Sequence, residues 1–177
     1  SSIFEFKIQN QLKNEDFAIL YRTNAQSRAM EDALRKRDIP YRIYGGLSFY
    51  QRKEVKDILA YLRLVENPKD EESLKRVINY PPRGIGQTTV DKLVVASKYH
   101  NLSLLETVDR AKELGVPVNV GTLTKLINFS TLIKRFQIEN EALNAFEVTD
   151  LITKKIGLVQ ELKKDATPEG IARIENI

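Results

Sequence analysis

The sequence contains no cysteine, no tryptophan and a single histidine, His100. Without cysteine the chain can form no disulfide and offers no thiolate to a metal ion. One histidine is too few for a zinc site built on imidazoles, or for a catalytic constellation that needs histidine pairs. Any chemistry must therefore rest on Arg, Lys, Asp, Glu and Tyr side chains and on backbone groups.

Long apolar runs are also missing from the sequence. No stretch approaches the roughly 18–20 apolar residues that span a bilayer, and the first residues lack the basic-then-apolar layout of a signal peptide. These absences predict a soluble, cytoplasmic protein with no membrane partner. The 177 residues, 42% of them hydrophobic, are enough for one good core or two small ones.

The balance of charge is moderately basic. The chain carries 28 Lys and Arg against 24 Asp and Glu, which gives a net charge of +4. A basic excess fits a protein that binds a polyanion such as DNA. Because acidic residues are interspersed throughout, charge alone does not identify the partner.

The first fifty residues predict a strand, a helix and a second strand. Residues 16–21 form an apolar run too short for a helix, residues 25–37 carry apolar side chains at helical spacing, and residues 41–44 form a second run. Such a βαβ unit implies two parallel strands joined by a right-handed crossover. Ligands of these sheets bind beyond the carboxyl ends of the strands, which places Tyr21 and Arg22 at a ligand site.

Helical periodicity dominates from residue 53 onward. Apolar spacing, caps and proline or glycine stops predict helices at about 53–67, 71–79 and 88–99, a long helix around 123–136, one between Asn144 and Gly157, and one that opens at Thr167-Pro168. The chain should therefore be mostly α-helical after its first fifty residues.

A Gly-Ile-Gly turn joins two of these helices, within Arg83-Gly84-Ile85-Gly86. This is the layout of a helix-hairpin-helix contact with the DNA backbone, because glycines permit close approach and the amides that open the next helix point at a phosphate. Arg83 and Lys92 would add positive charge. The same glycines serve equally well as a tight turn between helices, so both interpretations stand.

Three blocks of the sequence resemble superfamily 1A DNA helicases of the UvrD, PcrA and Rep type. Residues 18–28 are similar to their motif IV, residues 39–46 and 49–63 to the block that follows it, and residues 82–86 to the Gly-Ile-Gly element of their 2B subdomain. The three blocks lie in the right order across about residues 16–98. Residues 100–177 agree only as a helical insertion of suitable length.

The resemblance implies an α/β fold class. Residues 1–79 would be a partial RecA-like 2A domain with the βαβ portion, and residues 80–177 a mainly helical 2B subdomain, truncated at its C-terminal side. The parent enzyme would use ATP with Mg²⁺ to move 3′ to 5′ along DNA and unwind it, with the metal ligands outside this chain. Its partners would be single-stranded and duplex DNA and the remaining motor domains, 1A, 1B and the rest of 2A.

The resemblance also assigns roles to single residues. Tyr21 matches the residue that stacks on adenine, and Arg22 matches the catalytic arginine finger, whose fixed planar cation suits charge that develops on the γ-phosphate. Gly46, Phe49 and Arg52 fall in the block that faces single-stranded DNA, where aromatic stacking needs no sequence preference. The structural alternatives are a surface cation for Arg22 and core aromatics for Tyr21 and Phe49.

A phosphate-binding loop of the Gly-x-x-x-x-Gly-Lys-Ser/Thr type is absent from the sequence. The chain by itself is therefore expected not to hydrolyse ATP. Two other classes remain open: a non-enzymatic DNA-binding module, and a helicase–nuclease subunit that keeps motor-like domains. Flanking sequence would identify a helicase fragment, because a phosphate loop must precede it.

Overall fold

The computed structural model describes residues 2–22, 24–44 and 48–177. Over these ranges the chain forms ten α-helices and two short 3-10 helices, at Asn14–Asp16 and Phe49–Gln51. The α-helices are α1 (Ser2–Gln9), α2 (Asn24–Arg35), α3 (Lys53–Glu66), α4 (Glu71–Val77), α5 (Gln87–His100), α6 (Leu104–Asp109), α7 (Val120–Asn140), α8 (Ala145–Ile156), α9 (Leu158–Leu162) and α10 (Pro168–Ile174).

The predicted α/β class, with its RecA-like βαβ portion, is wrong for the described residues, where no strand forms. Asp16 ends a 3-10 helix, and residues 17–21 and 41–44 are neither helix nor strand. Two short parallel strands without further neighbours bury too little surface to be stable, because parallel sheets need both faces covered. Leu20 is 94% exposed and Tyr44 80%, so this chain leaves much of both apolar runs uncovered.

The helices predicted from periodicity agree with α2, α3, α4, α5, α7, α8 and α10. Local capping explains their sharp starts: the Asp70 side chain accepts the Ser73 N–H at α4, and Asn144 and Glu147 form a capping box at α8. Helices α1, α6 and α9 were not expected from the sequence. In the described ranges no helix combines the length and the apolar composition that crossing a bilayer requires.

One hydrophobic core holds most of the helices together. It contains the fully buried Tyr61 and Leu64 of α3 and Phe129 and Phe136 of α7, with further apolar side chains from α4, α5, α6 and α8. This core draws residues from both sides of the division predicted at 79/80, which itself stays a prediction. Helix α3 packs against α4, α7 and α8, and it thereby positions α4, the helix that precedes the Gly-Ile-Gly turn.

Candidate functional sites

The Asn79 side chain bridges two backbone groups within the connection between α4 and α5, residues 78–86. The Asn79 Oδ1 atom accepts the backbone N–H groups of Arg83 and Ile85, each at 2.9 Å. Gly84 has φ +70°, a conformation that side chains with a Cβ rarely adopt, and Ile85 is buried in the core. The Gly-Ile-Gly turn therefore presents a fixed backbone surface to solvent.

Arg83 supports this turn from inside. Its guanidinium donates to the Tyr61 Oη at 2.6 Å and to the carbonyl of Val77 at 2.9 Å, and it lies 5.4 Å from the centre of the Phe129 ring. Burial raises the pKa of Tyr61 to about 12, so this phenol stays neutral as it accepts from the guanidinium and donates to the Tyr80 carbonyl. The geometry gives Arg83 a clear role in closing the end of α4.

The start of α5 is both exposed and uncapped. Its N-cap residue, Gly86, has no side chain to accept an amide, and Gly86, Gln87 and Thr88 all face solvent. Five other helices have side-chain caps, from Asp70, Ser103, Asn119, Asn144 and Thr167. A Cβ built on Gly86 meets no atom within 4 Å. The amides that open α5 are thus accessible to an anion, with the positive end of the helix dipole behind them.

Two lysines differ in how they relate to this turn. The Lys92 Nζ atom donates to the Pro117 carbonyl at 2.7 Å, on the connection that leads to α7. The Lys125 Nζ atom of α7 donates to the Gly84 carbonyl at 3.2 Å and lies 2.6 Å from where a Cβ on Gly84 would sit. Sequence reasoning missed Lys125 because it lies 41 residues from Gly84, and no local pattern connects the two.

The residues assigned to the nucleotide lie together at one edge of the structure. Tyr21 is partly buried and Arg22 is exposed, and the Arg22 backbone N–H donates to the Gln26 Oε1 atom at 3.0 Å. Both line an open cavity of about 1150 Å³, between residues 17–22 and 39–44 and the helices α1 and α2. Arg22 is thus exposed at this cavity, and Tyr21 lines the same cavity.

The block assigned to single-stranded DNA is covered more than its sequence indicates. Phe49 is only 7% exposed, with the Arg28 guanidinium 4.7 Å and the Arg52 guanidinium 5.5 Å from its ring centre, and Tyr50 packs edge-on at 5.2 Å. Arg52 is likewise 7% exposed. Gly46, the third residue of that prediction, lies outside the described residues. Phe49 and Arg52 are therefore mostly covered by neighbouring side chains.

Glu31 of α2 organises the same region. Its carboxylate accepts hydrogen bonds from the Ser48 hydroxyl, the Phe49 N–H at 3.0 Å and the Tyr41 hydroxyl at 3.0 Å. Burial alone would raise the pKa of Glu31, but these hydrogen bonds outweigh it and hold the pKa below its usual value. A charged Glu31 therefore ties the 3-10 helix at Phe49 to α2.

Comparison with known proteins gives consistent matches along the chain. A family model described as the UvrD-like helicase C-terminal domain matches residues 1–166. The ATP-dependent DNA helicase PcrA of Staphylococcus aureus is 40% identical over 169 residues, which are 96% of this chain and 23% of that protein. DNA helicase II of Haemophilus influenzae is 40% identical over 165 residues, 93% of this chain and 23% of that protein. The chain thus spans about a quarter of the length of the curated relatives it matches.

Proposed function

The chain belongs to the UvrD-like helicase C-terminal domain family, and on that premise we propose that it forms part of an ATP-dependent DNA helicase that moves 3′ to 5′. The relatives named as ATP-dependent DNA helicases support this, because they match 96–100% of the chain. The whole protein would bind ATP with Mg²⁺, single-stranded and duplex DNA, and would include the domains 1A, 1B and the rest of 2A. Within it, this chain supplies a DNA contact and part of the nucleotide contact.

The DNA contact is the Gly-Ile-Gly turn with the start of α5. The observation that carries this proposal is the exposed, uncapped N-terminus of α5 behind a rigid turn. Amides at Gly86 and the next residues reach phosphate oxygens but not base edges, so binding is independent of sequence. Lys125, beside Gly84, adds a positive charge to this surface, and Lys92 adds one further along α5.

The nucleotide contact is the edge at Tyr21 and Arg22. The exposure of Arg22 and the position of Tyr21 on the same cavity support the roles that the family resemblance implies: Arg22 toward the γ-phosphate and Tyr21 against the adenine. ATP would supply the free energy for movement. This chain's residues would position the nucleotide and stabilise its negative charge. Phe49 and Arg52 would shape the neighbouring single-stranded DNA surface from below, with Gly46 close to it in sequence.

Titration of fluorescent duplexes with the 177-residue chain tests the DNA contact. We expect equal anisotropy curves for two duplexes of unrelated sequence, and affinity that falls as salt rises. Each neutralised phosphate contributes about −0.9 to the slope of log affinity against log salt, so a few contacts give a shallow slope. A clear preference for one sequence, or binding that ignores salt, would contradict the proposal.

A second experiment tests the nucleotide side. The chain alone lacks a phosphate loop and should release no phosphate from ATP above the buffer rate. The intact protein that carries it should hydrolyse ATP, and DNA should stimulate that hydrolysis. Hydrolysis by the 177-residue chain itself would show that the site is assigned wrongly.

A further inference from the structure

Three distant segments of the chain meet on the Arg52 side chain. The Arg52 Nη2 atom donates to the Ser27 hydroxyl of α2 at 2.9 Å, and its Nη1 atom donates to the Asn176 Oδ1 atom, just after α10. The Asn176 Nδ2 atom in turn donates to the Glu54 Oε1 atom at 2.6 Å. Arg52, Glu54 and Ser27 are all buried.

This arrangement fixes both partners of Arg52. The Asn176 amide accepts from the guanidinium with its oxygen and donates to the carboxylate with its nitrogen, so a reversed amide would lose both contacts. The planar guanidinium reaches Ser27 and Asn176 at once, whereas the single ammonium of a lysine cannot reproduce such a fork. The contact is therefore specific in geometry as well as in charge.

Arg52 lies between the elements that carry the two proposed sites: its side chain contacts α2 through Ser27, and its backbone opens α3. Ser27 lies in the first turn of α2, five residues after Arg22 in the chain. Arg52 itself is the N-cap position of α3, which packs against α4 and α7, and these helices hold Asn79 next to α4 and Lys125 at the Gly-Ile-Gly turn. A shift of α3 relative to α2 must break or bend the Arg52–Ser27 hydrogen bond.

We propose that Arg52 is a positioning residue that couples the DNA-facing helices to α2, and thereby regulates how Arg22 is placed for ATP hydrolysis. The inference rests on the proposed function and concerns the regulation of that same nucleotide site. Asn176, itself bonded to Glu54, holds the guanidinium from one side, and Ser27 transmits its position on the other. Coupling of this kind requires both hydrogen bonds of the guanidinium, to Ser27 and to Asn176, at the same time.

The experiment uses the intact protein and measures ATP turnover with and without a tailed duplex. The variants are Ser27→Ala, Asn176→Ala and the two combined, with Ser97→Ala and Asn140→Ala as controls. The Ser97 hydroxyl donates only within its own helix, to the Val94 carbonyl, and Asn140 makes a surface contact with Glu66. Thermal unfolding of each variant shows whether it remains folded.

We expect each single replacement to reduce the stimulation by DNA about threefold or more, with KM for ATP and turnover without DNA unchanged. The combined variant should lose no more than the larger single loss, because either break interrupts the same connection. Arg52→Lys should lose the stimulation to the same extent, and it replaces any alanine variant that fails to fold. The two controls should keep it.

Unchanged stimulation in the folded single variants would overturn the inference. So would a combined loss equal to the product of the single losses, since that result means two independent local effects. If the unmodified protein hydrolyses no ATP in the presence of DNA, the proposed function itself fails. The unmodified protein therefore distinguishes a failure of the inference from a failure of the proposed function.

Discussion

Replacing Gly86 by aspartate makes stability and DNA binding change in opposite directions. Gly86 is the N-cap of α5 at φ −79° and ψ 167°, which any residue adopts, and a Cβ there meets no neighbour within 4 Å. Aspartate is a better N-cap than glycine and places a negative charge at the positive end of the helix dipole. We expect the free energy of unfolding to rise by about 0.3–1 kcal/mol, or about 1–4 °C in Tm.

The same replacement should weaken binding to duplex DNA. The new carboxylate accepts the amides that a phosphate would use, and it repels the phosphate. Two unit charges roughly 4 Å apart repel by about 1 kcal/mol in bulk water and about 4 kcal/mol near a protein surface. Affinity should therefore fall at least about fivefold. Gly86→Asn gives the same cap without the charge, so the duplex affinity that this variant loses measures the competition for amides alone.

Anisotropy titrations and thermal unfolding of the same samples give both quantities. Asn144→Asp is the matched control, since it makes the same change in net charge at the N-cap of α8, away from the Gly-Ile-Gly turn. It should weaken duplex binding much less than Gly86→Asp. A Gly86→Asp chain that is more stable and still binds duplex as tightly as the original would show that α5 does not face a phosphate.

Three further predictions concern other residues. Lys125→Met should lower duplex affinity and make the salt slope shallower by about one contact, because the Lys125 ammonium lies on the Gly-Ile-Gly turn at the Gly84 carbonyl. Lys92→Met should do less, because the Lys92 ammonium bonds to the Pro117 carbonyl and not to the turn; salt titrations compare the two variants, and equal losses would remove the distinction. Arg22→Ala in the intact protein should lower ATP turnover at least about tenfold with little change in nucleotide binding, as steady-state kinetics would show; unchanged turnover would exclude the finger role. Folding lowers the pKa of Glu31, so its charged form stabilises the fold at pH values above its ordinary pKa of 4.5, and this stabilisation is lost as pH falls through the folded pKa. Glu31→Gln should therefore make the free energy of unfolding fall less steeply at acid pH, and identical pH profiles for the two proteins would refute this prediction.

Helices were predictable from the sequence because their signals are local. The cap at Asn144, the stop at Gly157 and the proline at the first turn of α10 each act within a few residues, and each appears in the structure. The strands failed for the opposite reason. The run at residues 17–21 carries the right side chains, but strand formation depends on partners that the described residues do not provide.

The candidate site likewise contains one feature that the local sequence predicts and several that only the tertiary fold creates. The Gly-Ile-Gly turn was predictable because glycine is the residue that most readily adopts a positive φ, and Gly84 has such a φ in the structure. The inward direction of Arg83, the position of Lys125 and the contact between Arg52 and Asn176 were not predictable. Each depends on residues that only the tertiary fold brings together, over separations as large as 124 positions.

The uncovered runs at residues 17–21 and 41–44 have a consequence for handling the chain in solution. Phe17-Ala18-Ile19-Leu20-Tyr21 combines β-branched and aromatic residues with no charge and no proline, which is the composition of segments that form intermolecular β-sheets. Leu20 is almost fully exposed and the rest of the segment is at most partly covered, so its backbone is open to a second copy of the chain. The 177-residue chain should therefore self-associate as its concentration rises, and scattering should grow with concentration and fall when Leu20 is replaced by lysine.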